Sequence, residues 1–243
     1  MTSIPAATTH NQRHAVIFDC DGTLADSEPL ARAAWESVLG NYGHRITDAD
    51  AETVVGLDYP RVHHYYAQRF AGLPDHLTLW PQLREMMLDL IDKSLLPFDD
   101  AVSCARELAA AGVPIAVASS SPRVRLDATL EKLGLTGLFP ITTAGDEVAH
   151  GKPAPDIFLK TAAALGVPAT SCVVVEDSPS GIRAGHAAGM PVIAVHRADT
   201  LPPPTFDLAE IAVDALHISQ FEQMLALPAH RPRSAHVEEL THD

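Results

Sequence analysis

Four short runs, Val16–Phe18, Ile115–Ala118, Cys172–Val175 and Val192–Val195, contain no polar residue, and each is separated from the next by enough chain for at least one helix. A strand with one wet face alternates apolar and polar side chains. A run without alternation is buried on both faces, as in a parallel sheet covered by helices. Weaker strand patterns at 140–143 and 211–213 extend the series. Helices are expected between them at 99–111, 123–133, 156–165, 179–188 and 219–227. Asp99 is a candidate cap for the first, and a serine of Ser119-Ser120-Ser121, with Pro122 at the first helical position, for the second. Strand and helix alternate, and right-handed crossovers then predict an α/β fold: a doubly wound parallel sheet with helices on both faces.

The chain from Asp26 to Leu96 reads differently. Apolar residues recur at helical spacing, with Ala31, Ala34, Trp35 and Val38 on one stripe and Leu83, Met86, Met87, Leu90 and Ile91 on another. Helices are expected at 26–39, 48–55, 59–70 and 81–94, with no strand among them. An all-helical stretch inserted between strands predicts a separate cap over 26–96, with an α/β core built from 13–25 and 97–228. Residues 1–12 and 230–243 are expected to be disordered tails, and Pro202-Pro203-Pro204 a linker.

The first apolar run stops at Asp19-Cys20-Asp21-Gly22, and in open parallel sheets ligands bind at the carboxyl ends of strands. Two residues of extended chain cover about 6 to 7 Å and return the side chain to the same face, so both carboxylates can reach one site. Like charges at that distance repel unless a cation lies between them, and an oxygen-only donor set suits a hard ion such as Mg²⁺. Taken alone, the pattern also fits an Asx turn after a strand. Cys20 should point to the opposite face, where a packing role suits it better than a nucleophilic one.

Composition narrows the partners. A net charge of -14 opposes nucleic acid and anionic membranes, which call for basic surfaces, and leaves room for a small anionic substrate met by a few local cations. No run approaches a membrane span, and Met1 to His14 lacks the apolar core of a signal peptide, so a cytoplasmic location is expected. Cys20, Cys104 and Cys172 are odd in number, widely spaced and set in apolar surroundings, as reduced buried thiols are.

Further polar residues fall at the ends of the other predicted strands: Ser119 with Ser120, and Glu176 with Asp177, while Lys152 comes from a loop. Each has an ordinary reading alone, as a turn serine, a surface lysine or an acidic helix start. At one end of one sheet they assemble carboxylates, a hydroxyl and a cation, the parts that phosphoryl transfer uses.

The order Phe18-Asp19-Cys20-Asp21-Gly22-Thr23, Ser119, Gly151-Lys152-Pro153-Ala154-Pro155-Asp156 and Val175-Glu176-Asp177-Ser178 resembles the four motifs of the haloacid dehalogenase superfamily. With the helical insert, the resemblance covers roughly residues 14 to 197 and is nearest to the branch of β-phosphoglucomutase and the sugar-phosphate phosphatases. It implies that Asp19 is a nucleophile forming an aspartyl-phosphate, and that Asp21 is the general acid and base. Ser119 and Lys152 would hold the transferring oxygens, and Asp19, Asp21, Glu176 and Asp177 would form the Mg²⁺ site. Gly22, Ser120 and, from the cap side, Asp26, Glu28 and Arg61 are candidate substrate contacts.

Departures from the family patterns bear on the reaction. Asp21 counts against dehalogenation, because a halide leaves without an acid. Ala31 stands where the mutases carry a histidine, which favours water as final acceptor. Lys93, the only lysine of the insert, lies at its far end, away from the place of a Schiff-base lysine. His63-His64 read as solvated helix residues and His150 as a loop histidine. The expected activity is hydrolysis of a small phosphorylated metabolite, a sugar phosphate. A phosphosugar mutase and a non-catalytic phosphate-binding protein are the alternatives.

Overall fold

The computed structural model describes residues 14–54, 59–197 and 202–225; the tails expected at 1–12 and 230–243 lie outside them. The sheet contains β1 (Ala15–Phe18), β4 (Ile115–Ala118), β5 (Ile141–Thr143), β6 (Cys172–Glu176), β7 (Val192–Val195) and β8 (Ile211–Val213). All neighbours are parallel, in the order β5-β4-β1-β6-β7-β8. The strand order reverses at β1, the position at which open α/β sheets form their ligand crevice.

The apolar runs are strands because every residue in them has a buried face to fill. Val16, Phe18, Val117, Val173, Val175, Ile193 and Val195 pack with α5 (Asp99–Ala110), α6 (Arg123–Lys132) and α9 (Ile218–Leu225). Ala15, Ile17, Ala118, Cys172, Val174, Val192 and Ala194 pack against α7 (Asp156–Leu165) and α8 (Pro179–Ala187) on the other side. Complete burial of side chains such as Ile17 and Phe18 contributes about 1.5–3 kcal/mol each. All three cysteines are buried and free.

Among the described residues, four helices lie between Asp26 and Leu96: α1 (Glu28–Gly40), α2 (Asp48–Val54), α3 (Tyr59–Arg69) and α4 (His76–Ser94). Sequence reasoning started the last of these at Pro81. Asp75 instead caps it, accepting from Thr78 N at 2.9 Å, and Pro81 sits inside, forgoing one backbone bond. The expectation of no strand in this region also needs correction. Asp26 belongs to β2 (Ala25–Asp26), which pairs antiparallel with β3 (Leu96–Pro97) where the helical insert leaves and rejoins the sheet. Two-residue strands have no readable period. Asp99 is the first residue of α5 rather than its cap. None of Ser119, Ser120 and Ser121 caps α6: its N-cap position is Pro122, and the Arg123 N–H donates to Asp146 at 3.0 Å.

Candidate active site

Register brings the predicted residues together. Phe18 is level with Val117 and Val175, so Asp19 and Glu176, one residue on, and Ser119, two residues on, emerge at one end of the sheet. Asp19 is buried, and its N–H donates to Val175 O at 2.8 Å, holding the residue in strand geometry. Lys152 is buried beside it and donates to Asp19 Oδ1 at 2.5 Å, Glu176 Oε1 at 2.8 Å and Ala118 O at 3.0 Å. Among the described residues no hydrogen bond reaches Asp19 Oδ2.

Glu176 is fully engaged. Its Oε2 accepts from the Ser178 N–H at 2.7 Å and from Ser178 Oγ at 3.0 Å, while Oε1 faces Lys152. The helix behind it must be a glycine at position 181, since a Cβ there would lie 1.5 Å from Glu176 Oε1. Asp177 projects to the other side of the strand end and accepts from Thr23 Oγ1 at 3.3 Å. Gly22 makes that possible: its φ is +82°, and a Cβ there would lie 2.0 Å from Asp177 Oδ2.

Charge is out of balance around Lys152. Burial pushes the Asp19 carboxyl up to about 8, with Lys152 opposing and Glu176 and Asp21 reinforcing the shift. Burial, with Glu176 and Asp19 nearby, raises Asp177 well above the usual carboxylate range. Burial alone would lower Lys152, but Asp19 and Glu176 outweigh it and raise its pKa. Three carboxylates are therefore set against one ammonium, which bonds Asp19 and Glu176, and among the described residues no lysine or arginine pairs with Asp177.

That imbalance and the oxygen-only donors fit Mg²⁺. The structure does not gather the four predicted ligands into a cage of carboxylates; among the described residues no group of three or more such side chains is arranged to hold a metal. Glu176 faces Lys152 and the Asp21 side chain faces elsewhere, so Asp19 and Asp177 are the carboxylates left for a cation. One or two carboxylates, with waters and a substrate phosphate, are the ordinary surroundings of Mg²⁺.

Asp21 is held by four groups. Oδ1 accepts from Ser27 Oγ at 2.7 Å and Arg125 Nη2 at 2.6 Å; Oδ2 accepts from Ser121 Oγ at 2.7 Å and Ser119 Oγ at 3.2 Å. Burial would raise this carboxyl, but Arg125 and the three hydroxyls outweigh it and hold it below its ordinary value. Sequence reasoning missed Ser27, Ser121 and Arg125. Ser27 falls inside the helix expected at 26–39 and the serines before α6 read as a helix cap; Ser27 instead occupies the N-cap position of α1, with no side-chain cap bond. Arg125 lies 104 residues from Asp21 and carries no local signal.

The other predicted contacts are less gathered. Ser120 is exposed on the loop between Ser119 and Ser121; Asp26 lies in β2, half-buried, and Glu28 is exposed at the start of α1. Arg61 is exposed in the first turn of α3. His63 meets Pro74 O at 2.9 Å, His64 meets Gln68, His150 meets Asp156, and Lys93 pairs with Asp89. Among the described residues no helix is long and apolar enough to cross a membrane.

Known proteins resemble this chain in sequence and in fold. Fructose-1-phosphate phosphatase YqaB of Escherichia coli K12 is 36% identical over 192 residues, covering 76% of this chain and 97% of that protein. A HAD family hydrolase from Deinococcus radiodurans R1, solved with bound phosphate and sodium, is 29% identical with a TM-score of 0.67, over 88% of this chain and 96% of that one. β-Phosphoglucomutase from Clostridium difficile shares the fold, with a TM-score of 0.73 at 21% identity over 88% of this chain and 97% of that one. The sequence profile described as haloacid dehalogenase-like hydrolase matches residues 14–189, and the chain belongs to that family.

Proposed function

We propose that the protein is a Mg²⁺-dependent phosphatase that hydrolyses a small, cytoplasmic phosphorylated metabolite, a sugar phosphate or a close polyol relative. The observation that carries this reading is the buried Asp19, bonded through Oδ1 to Lys152, with Asp21 two residues on. The phosphatase that matches over most of this chain supports the substrate class.

Asp19 attacks phosphorus: a bond forms from its carboxylate oxygen, and the bond from phosphorus to the ester oxygen breaks. Lys152 holds the carboxylate in place and, with Ser119, meets negative charge on the transferring oxygens. Asp21, ionised at rest, takes a proton from the water that attacks the aspartyl-phosphate and frees Asp19, and that proton is the one it passes to the leaving oxygen of the next ester. Asp19, Asp177 and the main-chain carbonyl of Asp21 would hold Mg²⁺, which would supply charge neutralisation between the carboxylate and the phosphoryl group. Glu176 keeps Lys152 in position. The helical insert acts as the cap, excluding bulk water and confining the site to small substrates.

A panel of sugar and polyol phosphates, including fructose 1-phosphate, should release inorganic phosphate with Mg²⁺ and lose that release in excess EDTA. No release from any member with Mg²⁺ present overturns the proposal. Glucose 6-phosphate formed from β-glucose 1-phosphate and a bisphosphate primer would select a mutase instead. Gly22→Ala, which drives a methyl group into Asp177, should raise the Mg²⁺ concentration for half-maximal rate by about 10- to 100-fold. An unchanged Mg²⁺ titration would separate Asp177 from the metal.

A further inference from the structure

Arg125 stands outside the four motifs, on the first turn of α6, and its environment is not that of a surface residue. Nη2 donates to Asp21 Oδ1 at 2.6 Å and lies 3.5 Å from Ser27 Oγ. Its Nε is buried and has no hydrogen-bond partner among the described residues. A buried unpaired donor is destabilising, and a side chain selected for stability alone would turn that N–H toward water or a carbonyl. What the chain gains in return is one charge-assisted bond to the acid-base carboxylate, the strongest of the contacts that orient it.

We infer that Arg125 is a positioning residue for Asp21, fixing its carboxylate for proton transfer without touching the transferring phosphoryl group. The inference rests on the phosphatase reading and adds to it a residue from a different element. Three of Asp21's partners are serine hydroxyls whose rotors can turn; Arg125 supplies the only charge among them. Ser27 reaches the same oxygen from the start of α1, so Asp21 Oδ1 joins α6 to the point where the helical insert begins. A small displacement of a catalytic group suffices for a large loss of rate.

The test is a double-mutant cycle on Asp21 and Arg125, read by steady-state kinetics on a phosphomonoester the wild type turns over and by urea denaturation. Arg125→Met should lower kcat by about 10- to 100-fold with KM within about twofold of wild type. Arg125→Lys should recover most of the loss, because a single donor is used. In an Asp21→Asn background, Arg125→Met should leave the residual kcat unchanged, and the two substitutions should be non-additive in denaturation midpoint. A raised KM at unchanged kcat, equal losses in both backgrounds, or no recovery by lysine would each overturn the inference. If the wild type turns over no phosphomonoester, the phosphatase reading fails on its own, and additive denaturation midpoints would overturn the Arg125–Asp21 coupling independently.

Discussion

Asp19→Asn is expected to lower turnover of the best phosphomonoester by at least about 10⁴-fold while leaving the fold intact. Losses of this order follow removal of a nucleophile from a site whose remaining groups act as a unit with it. The amide keeps the shape of the carboxylate and can still accept from Lys152, so the sheet edge is not left with a cavity. It also removes a buried carboxyl whose charge is disfavoured there by burial and by Glu176 and Asp21, and leaves Lys152 paired with Glu176, so the variant should unfold at the same urea concentration as wild type or a higher one. A variant that is inactive and also markedly destabilised would assign Asp19 to the scaffold instead.

The second large effect is expected at Lys152. Its side chain is 3% exposed and bonded to two carboxylates, themselves 7% and 1% exposed. Lys152→Met leaves Asp19 and Glu176 buried without their counter-charge, and breaking a buried pair from one side costs about 3–5 kcal/mol. Urea denaturation at neutral pH without Mg²⁺ should show a loss of this size. The sign of its pH dependence follows from the same charges. Burial raises the Asp19 carboxyl even with Lys152 opposing, so without Lys152 it lies still further above its value in the unfolded chain; stability is lost as pH rises through that unfolded value and regained as pH falls and Asp19 becomes protonated. Wild-type stability in the variant at neutral pH would contradict the charge pattern described for this site.

Much of this was legible in the sequence, for a physical reason. Strands β1, β4, β6 and β7 are short apolar runs because both of their faces are buried, and Asp19, Asp21, Ser119, Lys152, Glu176 and Asp177 stand at sheet ends or in loops, where polar residues after such runs demand explanation. The ribbon β2–β3 was not legible because two residues cannot show a period. Ser121 and Arg125 were not legible because their roles lie in contacts 100 and 104 residues away in sequence. Local pattern offers a helix start for Ser121 and an exposed helix position for Arg125, and only the register of β1 beside β4 brings them to Asp21. Glu176 illustrates the same limit from another side: its residue type suits a metal ligand or an anchor for Lys152, and the bonds to Lys152 and Ser178 favour the anchor.

The central claim is that phosphorus passes through the Asp19 carboxylate. Quenching the enzyme during turnover with borohydride reduces an acyl phosphate to the alcohol, and mass spectrometry of the peptide spanning residue 19 then reads the outcome. The account predicts homoserine at position 19, dependent on both Mg²⁺ and substrate. Unmodified Asp19 alongside reduction at Asp21 or Asp177 would contradict it.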